Sequence, residues 1–198
     1  MEKDHIEALS NIGQVWQALG DTAAAQTALH KALKLNSKFI PAIVNLAVVY
    51  RDLGQLDEAI SLLKDAEKAS PDNEHIHFYL AVILQAKCKL QSSIEAYKKV
   101  LELNPQHDGA KTNYSAILNS QGEFAKSIDI LLTNNGGRNL SAAGANNLGV
   151  AYFQERKFDE ALKSFARALD IAQNHAPAHK NLGDLFAELG RHDLAIEH

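Results

Sequence analysis

The sequence predicts an all-α fold built from repeated antiparallel helix pairs. Three observations carry that prediction. The composition suits packed helices, with 46% hydrophobic, 22% charged and only 7% aromatic residues, abundant alanine and leucine, and four prolines in 198 residues. The chain repeats itself at a step of 34 residues. Within each step the apolar residues recur at helical spacing, as in Phe158, Ala161, Leu162, Phe165, Ala168 and Leu169.

The units follow in order. Residues 6–39 set the pattern with Ile12, Gly13, Trp16 and Gly20, then Ala25-Gln26, Leu29 and Ala32. Residues 40–73 open at Pro41, a residue tolerated in a first helical turn, and repeat the columns as Leu46, Ala47, Tyr50, Gly54, Ala59-Ile60, Leu63 and Ala66. Ser70-Pro71 closes that second helix, and Asn104-Pro105 does the same for residues 74–107. There Leu80, Ala81, Leu84, Cys88, Ser93-Ile94, Tyr97 and Val100 hold the columns. Residues 108–141 keep Tyr114, Ser115, Leu118, Gly122, Ser127-Ile128 and Leu131. Residues 142–175 carry Leu148, Gly149, Tyr152, Arg156, Ala161-Leu162, Phe165 and Ala168. A partial sixth unit, 176–198, starts at Pro177 and has Leu182, Gly183, Phe186, Gly190 and Ala195-Ile196.

Each column has a physical task. The glycine column ends the first helix, because glycine accepts the positive φ that such a stop requires. The small column of Gly13, Ala47, Ala81, Ser115, Gly149 and Gly183 lets two helix backbones approach, and the large columns fill the space beside them. Acidic pairs at Asp57-Glu58 and Asp159-Glu160 recur at starts of second helices, where negative charge suits the helix dipole.

One stretch departs. In LLTNNGGRNLSAAG, residues 131–144, Asn134 replaces the small Ala, Gly137 replaces the Leu of Leu35 and Leu103, and Asn139 replaces the Pro. Leu148-Gly149 still arrive in register, so the stretch is not a linker between domains. It lacks the strand and the Lys-Ser/Thr signature of a phosphate loop. We expect a degenerate second helix that ends near Thr133 and a mobile loop to Asn139 that acts as a hinge, with Ser141 capping the next helix. A lost Leu-sized contact should weaken that joint by about 2–5 kcal/mol.

The six in-phase units resemble the tetratricopeptide repeat (TPR) family over essentially the whole chain. The resemblance implies one right-handed α-solenoid of helix-turn-helix units, residues 1–198, with first helices lining a concave face. On that face Asn11, Asn45, Tyr79, Asn113, Asn147 and Asn181 form a column. An amide ladder can hold an extended peptide by its backbone, or can bond within the array. The column is similar to the one in the TPR arm of the O-linked N-acetylglucosamine transferase. Around it Val44, Val48, Phe78, Tyr79 and Val82 make an apolar middle, with Arg51, Val150 and Phe153 on the same face. Only Arg51 and Lys180 could supply cations to a carboxylate clamp, several units apart, which argues against a chaperone-tail site.

The function classes narrow accordingly. A net charge of −4 without a Lys/Arg run disfavours nucleic acid. No apolar run approaches the roughly 20 residues of a membrane span, and the N-terminus has no signal-peptide core. A single cysteine, Cys88, excludes an internal disulfide and fits the cytoplasm. His75/His77 and His175/His179 lack a third ligand, so neither metal nor another cofactor is expected. No convergent acid–base set marks an enzyme. The expectation is a protein-interaction scaffold that takes a peptide or partner helix in its groove. The alternative is the substrate-recruiting arm of a larger enzyme such as a glycosyltransferase. The sixth unit stops inside its second helix, which suggests a piece of a longer protein or an end covered by a partner, and self-association through that end is a further reading.

Overall fold

The computed structural model describes residues 2–133 and 136–197. Among them it has twelve α-helices and no strand. α1 (Glu2–Ala18) is the longest. The other first helices, α3 (Ile40–Asp52), α5 (Glu74–Ala86), α7 (Asp108–Ser120), α9 (Ala142–Gln154) and α11 (Ala176–Glu188), each have 13 residues. The second helices α2 (Thr22–Leu35), α4 (Leu56–Ala69), α6 (Leu90–Leu103) and α10 (Phe158–Ile171) each have 14. α8 (Phe124–Leu132) has nine, and α12 (His192–Glu197) has six. Starting residues of like helices from α2 onward fall 34 apart, as the columns require.

The turn between paired helices has one construction throughout. Gly20, Gly54, Gly122 and Gly190 take φ between 71° and 82°, and Cys88 and Arg156 take 59° and 60° in the same column. The N–H of that residue closes on the carbonyl three back, and the next N–H on the carbonyl five back, as in Gly20→Gln17 at 2.9 Å and Asp21→Trp16 at 2.9 Å. The same two bonds recur at Cys88→Gln85 and Lys89→Leu84, both 2.9 Å. The geometry therefore belongs to the repeat and not to glycine. An L-residue there carries about 1–2 kcal/mol of strain. Cys88 is a free, exposed thiol, so Cys88→Gly is expected to stabilise the protein by about 1 kcal/mol in urea unfolding. Arg156 pairs with Glu188 and stacks over the Phe158 ring at 5.4 Å. Because those exposed contacts are lost with the side chain, Arg156→Gly should gain less than Cys88→Gly.

Helix entries follow local chemistry. Pro41 and Pro177 sit in first turns as their sequence positions require. Asn73 Oδ1 accepts from the N–H groups of His75 and Ile76, and Ser141 Oγ from Gly144 at 3.2 Å. His107 Nδ1 and His175 Nδ1 accept from Ala110 and Ala178 at 3.1 and 3.2 Å. These capping rings explain two of the chain's histidines without any ligand.

The helices form two compact units, residues 1–104 and 105–198. In the first, one cluster joins Ile6, Ala25, Leu29 and Ala32 to Ala42, Leu46 and Val49, and a second joins α3 and α4 to Ile76, Leu80, Ile83 and Leu84 of α5. In the second unit, α9 and α10 meet across Gly149 and Phe165, and α11 adds Leu182 and Leu185. Ser93 and Ser127 stand in an otherwise alanine column, each fully buried. Their hydroxyls donate to the facing carbonyls of Ala81 and Ser115.

The irregular stretch lies inside the second unit. α8 ends at Leu132 with Thr133 as its cap, where the sequence places it. Asn134 and Asn135, part of the expected hinge, lie outside the described residues. The described remainder is fastened down. Gly136 N–H donates to Leu132 O at 3.0 Å, Gly137 takes φ +76°, and Leu140 turns into the core with Ile128, Leu131, Ala145 and Leu148. The packing expected to be lost at Gly137 is thus replaced by Leu140. The sequence hides this, because the Leu140 column holds Lys38, Asp72, Gln106 and Asn174 in the other units.

Lys111 completes the repair. It is 3% exposed, and its Nζ donates to the carbonyl of Thr133 at 2.8 Å, where a cation meets the negative end of α8. Burial pushes its ammonium below the usual lysine range, and Asp108 partly offsets this. Tyr152 is shifted the opposite way in effect: burial raises its phenol above the usual range, and the Glu160 carboxylate adds to it. For Lys111 the folded pKa is the lower one, so folding strengthens as pH rises through it toward about 10.4. For Tyr152 the folded pKa is the higher one, so its stabilisation is intact below about pH 10 and is lost above. Urea midpoints measured from about pH 9 to 11 should therefore fall more steeply with pH in Lys111→Met, and less steeply in Tyr152→Phe, than in the parent.

Candidate functional site

The first helices carry every residue of the expected groove. In residues 1–104 these are Asn11, Val44, Asn45, Val48, Arg51, Phe78, Tyr79 and Val82; in residues 105–198 they are Asn113, Asn147, Val150, Phe153 and Asn181. Each unit is treated separately below.

In the first unit the structure brings Val44, Asn45 and Tyr79 together. They line a recess of about 210 Å³ with Gln14, Ile40, Pro41 and His75. Asn45 forms its floor, nearly buried, with Oδ1 accepting from Gln14 Nε2 at 3.0 Å and Nδ2 donating to Ser10 Oγ at 3.1 Å. Val44 lines the recess although it is only 5% exposed, whereas Val48 and Val82 are half-buried. Phe78 meets the Tyr79 ring edge to face at 5.4 Å and the Tyr97 ring at 6.2 Å, which sets the wall of the recess by aromatic packing. Arg51 is held by the carboxylate of Asp52 at 2.8 Å, and Gln17 donates to the same carboxylate at 2.7 Å. Asn11 is exposed on α1.

In the second unit Asn147 donates both amide hydrogens inward, to Thr112 O at 3.0 Å and Ser115 Oγ at 3.1 Å. Asn181 Nδ2 donates to Asn146 Oδ1 at 2.8 Å. The column therefore ties α1 to α3, α7 to α9 and α9 to α11. Asn119 Nδ2 donates to the backbone carbonyl of Asn147 at 2.9 Å, while its buried Oδ1 has no partner among the described residues. A buried amide acceptor left open is costly unless something supplies a donor. Asn119 stands in the same column as Arg51 and Phe153, but only the fold shows the open acceptor. Val150 and Phe153 pack on the α9–α10–α11 cluster, with Phe153 at 5.9 Å from the Phe158 ring. Asn113 is half-buried on α7.

The histidine pairs serve the loops. His77, nearly buried, donates from Nε2 to Pro71 O at 2.6 Å and sets Nδ1 3.3 Å from Glu67; His179 Nε2 donates to Gln173 O at 2.9 Å. Among the described residues no three His, Cys, Asp or Glu side chains gather to hold a metal ion, and no helix is long and apolar enough to cross a membrane.

Comparison with known proteins agrees with this architecture. The family described as "Tetratricopeptide repeat" matches at residues 17–88, 75–107 and 140–198. The BBSome complex member BBS4 of Bos taurus is 28% identical over 89% of this chain and 34% of its own length. The peroxisomal targeting signal receptor of Candida albicans is 23% identical over 100% of this chain and 35% of its own. The protein O-mannosyl-transferase TMTC1 of Homo sapiens is 26% identical over 91% of this chain and 21% of its own. The chain thus spans about a third or less of the length of these curated relatives. Among solved structures, PilF of Pseudomonas aeruginosa superposes with a TM-score of 0.85 at 17% identity, covering 99% of this chain and 89% of that one. Proteins of this kind are generally protein-interaction scaffolds. The 34-residue helix pairs, the repeated positive-φ turn and these matches together make the chain an α-solenoid of the tetratricopeptide repeat family.

Proposed function

We propose that this chain binds a protein partner on its first-helix face, taking an extended peptide or a partner helix, and catalyses nothing itself. The observation that carries the reading is the recess at Val44, Asn45 and Tyr79, a hollow of mixed lining in which Ile40, Pro41 and Val44 stand beside the Gln14 and Asn45 amides and His75. Such a site would take one large apolar side chain and steady the adjoining main chain by hydrogen bonds. Val48, Arg51, Phe78 and Val82 extend it in residues 1–104. Asn113, Asn147, Val150, Phe153 and Asn181, with the open acceptor of Asn119, offer a second set in residues 105–198. The chain's acidic balance and single cysteine suit a protein partner in the cytoplasm, with no nucleic acid or membrane surface involved.

Selection from a random-peptide display library tests the reading. The parent chain should enrich peptides with a shared apolar anchor. Val48→Asp and Tyr79→Ala, both at half-buried sites, should lose those peptides while keeping the parent's helical signal. Undiminished binding by both variants overturns the groove.

A second reading, the recruiting arm of a larger enzyme such as a glycosyltransferase, is favoured by the similarity to TMTC1 over 91% of this chain. Sequencing the gene on both sides of these 198 residues decides it. A transferase domain in the same frame supports that reading, and a frame without one removes it.

A further inference from the structure

We propose that the pocket between α9 and α10 is a second binding site, which takes an acidic segment of a protein partner with a bulky apolar residue beside a carboxylate. The pocket measures about 240 Å³ and is floored by Ala145, Leu148 and the Tyr152 ring. The repeat register explains why it is open. In the first unit the same columns hold Ile43, Leu46, Tyr50 and Leu62, and all four pack into the apolar clusters there. In the second unit Ala145 stands for Ile43 and Ser164 for Leu62, so two branched side chains give way to a methyl and a hydroxymethyl group. A gap of that kind is a standing cost in a packed junction, and an occupant removes it. Helix pairs stand on both sides, α7–α8 before it and α11–α12 after it, so the pocket belongs to the interior of the array.

Positive charge appears where the packing is missing. Glu160, Lys163 and Arg167, at steps of three and four, share one face of α10 and rim the pocket. In the first unit the columns of Lys163 and Arg167 hold Ser61 and Asp65, beside a filled junction. Lys163 is exposed and makes no ion pair among the described residues. Arg167 is half-buried, and its Nη2 donates to the Arg138 carbonyl at 2.5 Å. That bond steadies the guanidinium at the pocket and leaves its other N–H groups for an acceptor. Two cations over an apolar floor fit a carboxylate next to a large aliphatic or aromatic side chain. Lys163 and Arg167 meet the carboxylate, and Ala145, Leu148 and Tyr152 meet the apolar side chain. Glu160, at the other end of the stripe, accepts a main-chain N–H of the same segment.

Two-dimensional amide NMR spectra of the full chain, titrated with the blocked tripeptide acetyl-Leu-Glu-Leu-amide, test this. The shifts should saturate and concentrate in α9 and α10. Acetyl-Leu-Gln-Leu-amide lacks the charge and acetyl-Ala-Glu-Ala-amide lacks the bulk, and each should bind about tenfold more weakly. Lys163→Ser, at an exposed position, should weaken the charged peptide by a similar factor. Ser164→Leu restores the filler of the first unit and should abolish saturation while the spectrum keeps its dispersion. Equal binding of the charged and neutral peptides, the same shifts with sodium acetate alone, or saturation that survives Ser164→Leu overturns the proposal. Shifts confined to the recess at Val44, Asn45 and Tyr79 would overturn it as well, while supporting the first-helix groove.

Discussion

Leu140→Ala is expected to destabilise residues 105–198 by about 2–5 kcal/mol in urea unfolding, a core-sized loss from a residue between two helices. Leu140 is 6% exposed and packs with Ile128, Leu131, Ala145 and Leu148, on the side where α8 stops five residues short of its counterparts. Without it the end of α8, the Lys111 brace and the start of α9 face a hole that nothing nearby can fill. The control is built into the repeat. Lys38→Ala and Asp72→Ala change the same column at exposed positions and should shift stability by no more than about 0.5 kcal/mol. Equal effects in all three would show that Leu140 is not seated as described.

Gly149→Ala should cost a net of up to about 2 kcal/mol, although alanine is the better helix former. A Cβ at Gly149 would lie 2.5 Å from both Cδ1 and Cε1 of Phe165, and Phe165 is fully buried. Overpacking a core of this kind costs about 1–3 kcal/mol, while the propensity gain is about 1 kcal/mol. The pair is coupled, so in a double-mutant cycle Gly149→Ala should be milder on a Phe165→Leu background. Additive effects would mean that helices α9 and α10 part freely, contrary to the contact seen.

Much of the fold was legible because it is written in columns. The step of 34 residues places α9 at Ala142 and α10 at Phe158. Gly20 and Gly54 forecast their own turns, and the Asn and Gly residues after Leu132 forecast the early end of α8. Three features were hidden, for one reason: they depend on a particular departure from the column. Cys88 and Arg156 adopt a glycine conformation because the paired turn bonds hold them there. Leu140 is buried in a polar column, and its apolar side chain was the available signal. Lys111 stands where others have Ile43, His77, Ala145 and His179, and a lysine reads as solvent-facing until the carbonyl it reaches is seen.

The site was legible as a list of positions but not as a set of contacts. Spacing put Val44 on the groove face, and only the fold shows it nearly buried at the edge of the recess with Asn45 and Tyr79. The Asn column was visible in sequence, yet its partners lie some 35 residues away, as Asn45 to Ser10 and Asn147 to Thr112 do. Those bonds arise from how successive helix pairs stack, which no single unit encodes.

The bonded state of those amides bears on how a guest could be told from its rivals. A peptide that reaches for Asn45 must take it from the Gln14 amide and the Ser10 hydroxyl, trading one hydrogen bond for another at little net gain. Main-chain contacts of that kind are nearly equal for every sequence, so discrimination falls to whatever side chain enters the hollow beside Tyr79. The asparagines would then keep the reading frame of the face, while the hollow reads the letter.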